Sequence, residues 1–250
     1  MNALLLGGRR YDLTTRPLVM GVLGATRDPG SHEGGHGALD ALLRRASTVV
    51  AEGADLLDMG RAVVGPEGEA EELKRVVPAV EAVAARFDLP LSVETGRAGV
   101  LDAACAAGAV CGASPSGPVD RAYLATAARH RAAVIVAEDR AEPALEAGIP
   151  PESVILDAGA IHLGNPPAGQ AALLSHIPRL ATLGHPVLLA AVAGGPPAGL
   201  SEPVVDARRW SSLAAIAWAV GRGVRVVRVS DVAGTVRVVR ILHALFEPGS

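Results

Sequence analysis

The sequence predicts a single (β/α)8 barrel, on three observations. Apolar runs that lack in–out alternation recur along the whole chain, as expected of strands buried on both faces. Helix-period segments separate them one for one. No shift in composition divides the 250 residues, so one domain spanning residues 1–250 is expected, and 50% hydrophobic content supplies its core.

The strands are read at Leu18–Leu23, Leu56–Met59, Leu89–Val93, Ala109–Gly112, Ala133–Ala137, Val154–Leu156, Pro186–Ala191 and Val224–Val229. Helices are read at Ala38–Glu52, Glu69–Arg86, Ala98–Ala107, Asp120–His130, Glu142–Ala147, Gly169–Leu183, Asp206–Gly221 and Ala233–Leu245. Asp120 and Asp206 are candidate N-caps; Gly53, Gly108, Gly148, Gly184 and Gly221 are candidate helix stops. About eight right-handed strand–helix units close most simply into a barrel. The alternative is an open doubly wound sheet, but no GxGxxG follows the first strand. In a barrel, the Gly/Pro-rich stretches Arg27–Gly37, Gly164–Gly169 and Ala193–Gly199 ring one mouth, the face where ligands bind.

A formal net charge of −3 and scattered arginines give no footprint for nucleic acid, and 2% aromatic residues leave no stacking platform. No apolar stretch is long enough and free enough of charge, Gly and Pro to span a bilayer. The segment Met1–Arg10 has a short Leu run without the basic flank or length of a signal peptide, so a cytoplasmic protein is expected. Cys105 and Cys111 stand outside any CxxC pattern and read as ordinary buried thiols.

Five segments carry a family resemblance. Met20-Gly21-Val22-Leu23-Gly24-Ala25-Thr26-Arg27-Asp28, followed by Ser31 and Gly34-Gly35, resembles the MGILNVTPDSFSDGG of the dihydropteroate synthase family. Gly53-Ala54-Asp55-Leu56-Leu57-Asp58-Met59-Gly60 resembles its GADIIDIGG, and Leu91-Ser92-Val93-Glu94-Thr95 its ISVDT. Val154-Ile155-Leu156-Asp157-Ala158-Gly159 resembles IILDPG, and Arg228-Val229-Ser230-Asp231-Val232 is a variant of RVHDV. The five fall in the family's order, each at a strand end, and cover essentially the whole chain.

The resemblance implies a barrel mouth that binds a pterin diphosphate and condenses it with para-aminobenzoate, displacing diphosphate with help from Mg²⁺. It also implies the ligand-binding candidates: Asp157 and Arg228 as the clearest matches, Glu94 at the end of the third strand, Thr26 and Asp28 in the first loop, and Ser230 where the family has histidine. Departures are many. The first-loop asparagine is Gly24, the ESTRPG loop reads Ala62-Val63-Val64-Gly65-Pro66-Glu67, the strand-four Asn-Asp pair is Ala113-Ser114, and SRK is Val192-Ala193-Gly194. Lys74 is the only lysine, and Asn2 and Asn165 the only asparagines, so no shift of alignment restores the missing groups.

These losses lead us to expect a paralogue with a degraded site, non-catalytic or altered in ligand, with no catalytic residue assigned and no metal ligand. Its partner would be a pterin-like or other small molecule, or a protein. The alternative is a working dihydropteroate synthase, with Mg²⁺ if the ancestral activity persists, or another pterin-dependent transferase. Such an enzyme would have Asp28, Arg61, Glu94, Asp157 and Arg228 as nearly all its polar groups at the mouth.

Asp157 reads equally as a ligand group or as an acid paired with Arg228 across the mouth, and Arg228 with Glu94 as a residual salt bridge. His32-Glu33-Gly34-Gly35-His36 matches HExxH, but its glycines disfavour the helix that zinc binding requires. The Gly/Pro loop at residues 193–199 lacks the GK[ST] ending of a phosphate cradle. Trp210 and Trp218, eight positions apart on one helix, mark either a homodimer contact or packing against the barrel wall.

Overall fold

The computed structural model describes residues 3–14, 16–24, 36–60, 68–114, 119–161, 167–191 and 202–246. Eight parallel strands close into a barrel: β3 (Leu18–Val22), β4 (Leu56–Asp58), β5 (Leu91–Glu94), β6 (Cys111–Ala113), β7 (Ala133–Val136), β8 (Val154–Ala160), β9 (Val187–Ala191) and β10 (Val224–Val229), with β10 returning to pair with β3. The helices are α1 (His36–Ala51), α2 (Glu69–Arg86), α3 (Ala98–Ala106), α4 (Arg121–His130), α5 (Ala141–Glu146), α6 (Pro167–Ala181), α7 (Glu202–Val220) and α8 (Val232–Phe246). The expected eightfold succession is present, and most element ends fall within two or three residues of the sequence reading.

Two apolar clusters follow from strand parity. Side chains alternate across each strand, so Val19, Leu57, Val93, Val134, Leu189 and Val227 face outward into the layer beneath the helices. Leu18, Met20, Leu56, Cys111, Ala113, Ile135, Ile155, Leu188 and Val226 face inward and fill the barrel. Where a helix must come close, the outward side chain is removed. A Cβ on Gly21 would sit 2.2 Å from Val49 Cγ1 on α1.

An antiparallel hairpin, β1 (Ala3–Leu6) and β2 (Arg9–Asp12), precedes the barrel. It was not anticipated from the Leu run. Gly7 and Gly8 turn it with φ of 54° and 80°, the doubly positive pair of a two-residue primed turn. Its Leu4 and Leu6, with Leu13, join the interior cluster and close the barrel end opposite the ligand-binding face. Behind it, Arg16 forks onto both oxygens of Asp55 at 2.7 and 2.6 Å, and Asp55 also accepts the Val19 amide at 2.8 Å, fixing the entry to β3.

Asp120 caps α4 as expected, accepting the Tyr123 amide at 2.8 Å. Asp206 is no cap, because α7 begins four residues earlier at Glu202 and carries it within the helix. Both cysteines are free. Cys111 is buried and Cys105 partly so. Among the described residues no helix is long and apolar enough to cross a membrane.

Candidate functional site

The interior parity that fills the barrel with Leu, Ile and Val changes chemistry at the C-terminal strand ends. One step beyond Leu56 on β4 stands Asp58; β5 contributes Ser92 and Glu94; β8 follows Ile155 with Asp157; β10 follows Val226 with Arg228. Asp58 and Ser92 are register partners on adjacent strands. These five side chains form a polar layer on top of an apolar plug, and the mouth is far from bare.

Arg228 organises the layer. Its Nε lies 2.8 Å from Asp58 Oδ2, at ion-pair distance but off the hydrogen-bond axis, and its Nη2 donates to Glu94 Oε2 at 2.5 Å. The Ser92 hydroxyl donates to Asp58 Oδ1. Asp58 is completely inaccessible to solvent, and Arg228 and Glu94 nearly so. Burial pushes the Asp58 carboxyl above the usual range, against the pull of Arg228 and the Ser92 hydroxyl, with Glu94 adding to the rise. Burial also works against the Arg228 charge, but Asp58 and Glu94 more than offset it, so the guanidinium is held protonated above its ordinary value.

Asp157 sits at an irregularity in the β8–β9 pairing, where the register slips between Asp157 and Ala160. Such a bulge re-aims side chains at a barrel rim. Here Gly159 adopts φ of 103° and its amide donates to Asp157 Oδ1 at 2.8 Å. Burial raises the Asp157 carboxyl above its ordinary value, while the Gly159 amide and Arg228 oppose the rise. Of the two readings offered for Asp157, ligand group or partner of Arg228, the pairing does not form among the described residues. Arg228 bonds Asp58 and Glu94 instead, because the bulge ties Asp157 to its own strand and no cation among the described residues lies within 4 Å of it.

Of the other expected residues, Ser230 follows β10 with its hydroxyl buried and without a partner among the described residues, its carbonyl taken by Arg45 of α1 at 2.7 Å. The Ser114 hydroxyl after β6 is likewise buried and unpartnered. Buried hydroxyls of this kind call for a ligand or a water. Thr26, Asp28 and Arg61 lie outside the described residues, as do His32–Gly35 and residues 193–199. Lys74, on α2, pairs with Glu71 at 2.7 Å.

Two members of the layer, Asp58 and Ser92, were quoted in motifs but not selected. The signal was available. Each shares strand parity with its neighbours' site residues, and an acid inside the run Leu56-Leu57-Asp58-Met59 can only be buried.

As for Mg²⁺, Gly24 offers no side-chain oxygen, and the described residues assemble no group of three His, Cys, Asp or Glu side chains able to hold a metal ion. The described residues thus supply no preformed cage for the ion.

A closed parallel barrel with a buried acid–guanidinium layer at its C-terminal rim defines a small-molecule site of the (β/α)8 class. The family model described as pterin binding enzyme matches residues 20–144 and 137–230, and the chain belongs to that family. A dihydropteroate synthase from Synechocystis sp. is 30% identical over 278 residues, covering 96% of this chain and 94% of that protein. The dihydropteroate synthase of Bacillus subtilis is 28% identical over 262 residues, covering 94% and 90%. The structure of dihydropteroate synthase from Xanthomonas albilineans in complex with 7,8-dihydropteroate superposes with a TM-score of 0.80 at 31% identity, covering 98% of each chain.

Proposed function

We propose that this chain binds a pterin in the barrel mouth and is a transferase of the dihydropteroate synthase type, condensing 6-hydroxymethyl-7,8-dihydropterin diphosphate with para-aminobenzoate. The observation that carries the reading is the layer at the strand ends, Asp58, Ser92, Glu94 and Arg228 buried and Asp157 partly so. A pterin in a dry pocket needs an acceptor for its ring N–H and amino groups and a donor for its carbonyl. Asp157 supplies the first and Arg228 the second. The Ser114 and Ser230 hydroxyls add two further groups in need of partners. In the reaction the aniline nitrogen forms a C–N bond to the pterin methylene as the C–O bond breaks. Diphosphate leaves with the electron pair, and the amine loses a proton. This chain's described residues hold and orient the ring and exclude water from it.

A second reading is the altered-ligand or non-catalytic paralogue. It is favoured by one observation: Arg228, the cation of the described layer, is engaged by two carboxylates with a third nearby, an electrostatic balance that opposes an anionic diphosphate. A calorimetric titration with the pterin diphosphate, with and without Mg²⁺ and beside Asp157→Ala, separates the two when run with a turnover assay. Micromolar binding lost in the variant together with turnover supports the synthase. Binding without turnover supports the second reading. No heat at millimolar ligand defeats the synthase and leaves the altered-ligand paralogue standing.

We further propose a homodimer formed through α7 and α8. The chain's only two tryptophans lie there, Trp210 63% and Trp218 37% exposed, beside Ile241 at 60% and Leu245 at 67%. The exposure of Trp210 favours the contact reading over packing against the barrel wall. Sedimentation equilibrium of the protein and of Trp210→Glu tests it; a monomeric wild type at micromolar concentration defeats it. A cytoplasmic location is in keeping with two unpaired thiols, and fractionation against a cytoplasmic marker checks it.

A further inference from the structure

We propose that Asp58, held by Ser92, is a positioning residue that fixes the Arg228 guanidinium so that its Nη1 edge faces the ligand. The inference rests on the reading of the mouth as the ligand site and concerns how that site is kept in shape.

The grip is two-sided. Asp58 lies against Nε at 2.8 Å, and Glu94 takes Nη2 at 2.5 Å. Nε and Nη2 are taken up by the two acids and Nη1 has no hydrogen-bond partner among the described residues, so it is the nitrogen of the fork left for a ligand. Asp58 cannot itself serve as a ligand group. It is wholly inaccessible, its Oδ1 is occupied by the Ser92 hydroxyl, and its Oδ2 lies against Arg228. Ser92 stands directly across the ladder from it and is equally buried, so the rotamer of Asp58 is set by the strand pairing of β4 with β5.

The energetics point the same way. A charged pair sealed from water is a weak source of stability, and an apolar pair of the same volume would often serve the fold as well. What the pair does provide is order. An arginine side chain has four torsions, and one already immobilised loses little freedom when a ligand binds. The misalignment at Nε fits a guanidinium whose placement is a compromise between two acids on neighbouring strands. Removing one should let it swing toward the other, turning Nη1 away.

Two measurements test this. The first needs no ligand. The Arg228 Nε–H resonance, assigned by its loss in Arg228→Lys, should be protected from exchange in the wild type, and should change position and exchange faster in Asp58→Asn. The second is calorimetric titration of the pterin diphosphate into wild type, Asp58→Asn, Arg228→Lys and the double variant. Asp58→Asn is expected to weaken binding roughly ten- to hundredfold, yet to change it less than twofold when Arg228 is already lysine. Ser92→Ala, which leaves both charges in place, should give a smaller loss of the same kind. Equal factors in both backgrounds, or an Nε–H signal unmoved by Asp58→Asn, overturns the proposal. A wild type that does not bind the pterin diphosphate overturns the proposed function instead, while the resonance still decides whether Asp58 positions Arg228.

Discussion

Replacing Arg228 by methionine removes the one cation of the described mouth layer while keeping most of the side-chain volume. The Asp58 carboxylate, with no exposure, is left without this cation, and Glu94, 7% exposed, loses one of its partners. Each pair, with charge centres about 4 Å apart, is worth about 4 kcal/mol at an effective dielectric near 20. Desolvation of the guanidinium, relieved in the variant, cancels part of this. The net cost of stranding a buried charge is about 3–5 kcal/mol, or a fall of about 6–20 °C in Tm for a chain of this size.

The cost should depend on pH. In the folded wild type burial already raises the Asp58 carboxyl, and Arg228 is the main influence holding it down, so it rises further in the variant. A carboxyl with a raised folded pKa binds its proton more tightly folded than unfolded. Its contribution is therefore most favourable below the unfolded value, near 3.8, and is lost as pH rises through the folded value. Urea unfolding at pH 5 and pH 8 should show a large loss at pH 8 and a distinctly smaller one at pH 5. A loss below about 1 kcal/mol at pH 8, or one independent of pH, would refute the picture of a buried cation neutralising buried acids.

Other outcomes follow from the same geometry. Asp157→Asn keeps an acceptor for the Gly159 amide but removes a charge that burial disfavours, so it should stabilise the protein on the order of 1 kcal/mol at pH 8 and have no effect near pH 3.5, measured by urea unfolding at both. Leu6→Ala in the hairpin opens a void in the barrel end and should cost about 2–5 kcal/mol in the same assay, without altering ligand affinity. Burial holds the Cys105 thiol up to about 12 and Cys111 higher still. A disulfide-exchange reagent at pH 8 should therefore titrate both thiols rapidly in denaturant and neither rapidly in the native protein.

Much of the architecture was legible in the amino-acid order, since runs such as Val224–Val229 can be satisfied only by burial on both faces and the intervening helices have room only outside the ring. The limits of α2 and β10 were read to the residue. Local chemistry also sufficed for the Asp120 cap, because a cap is a contact between neighbours in sequence. The hairpin escaped notice because its signal, Gly7-Gly8 between two short runs, is indistinguishable from a loop until Leu4 and Leu6 are seen to have a barrel to fill. Asp157 and Arg228 could be chosen from their motifs, but their partners could not. Arg228 meets Glu94 across 134 residues of chain, and whether it takes Asp58 or Asp157 as its second acid turns on a bulge in β8 and on the register of β4 against β5. Parity along a strand is fixed by the backbone and can be read in one dimension. Which side chains meet inside a closed barrel depends on shear and register among eight strands, and that is decided only when the whole ring is assembled.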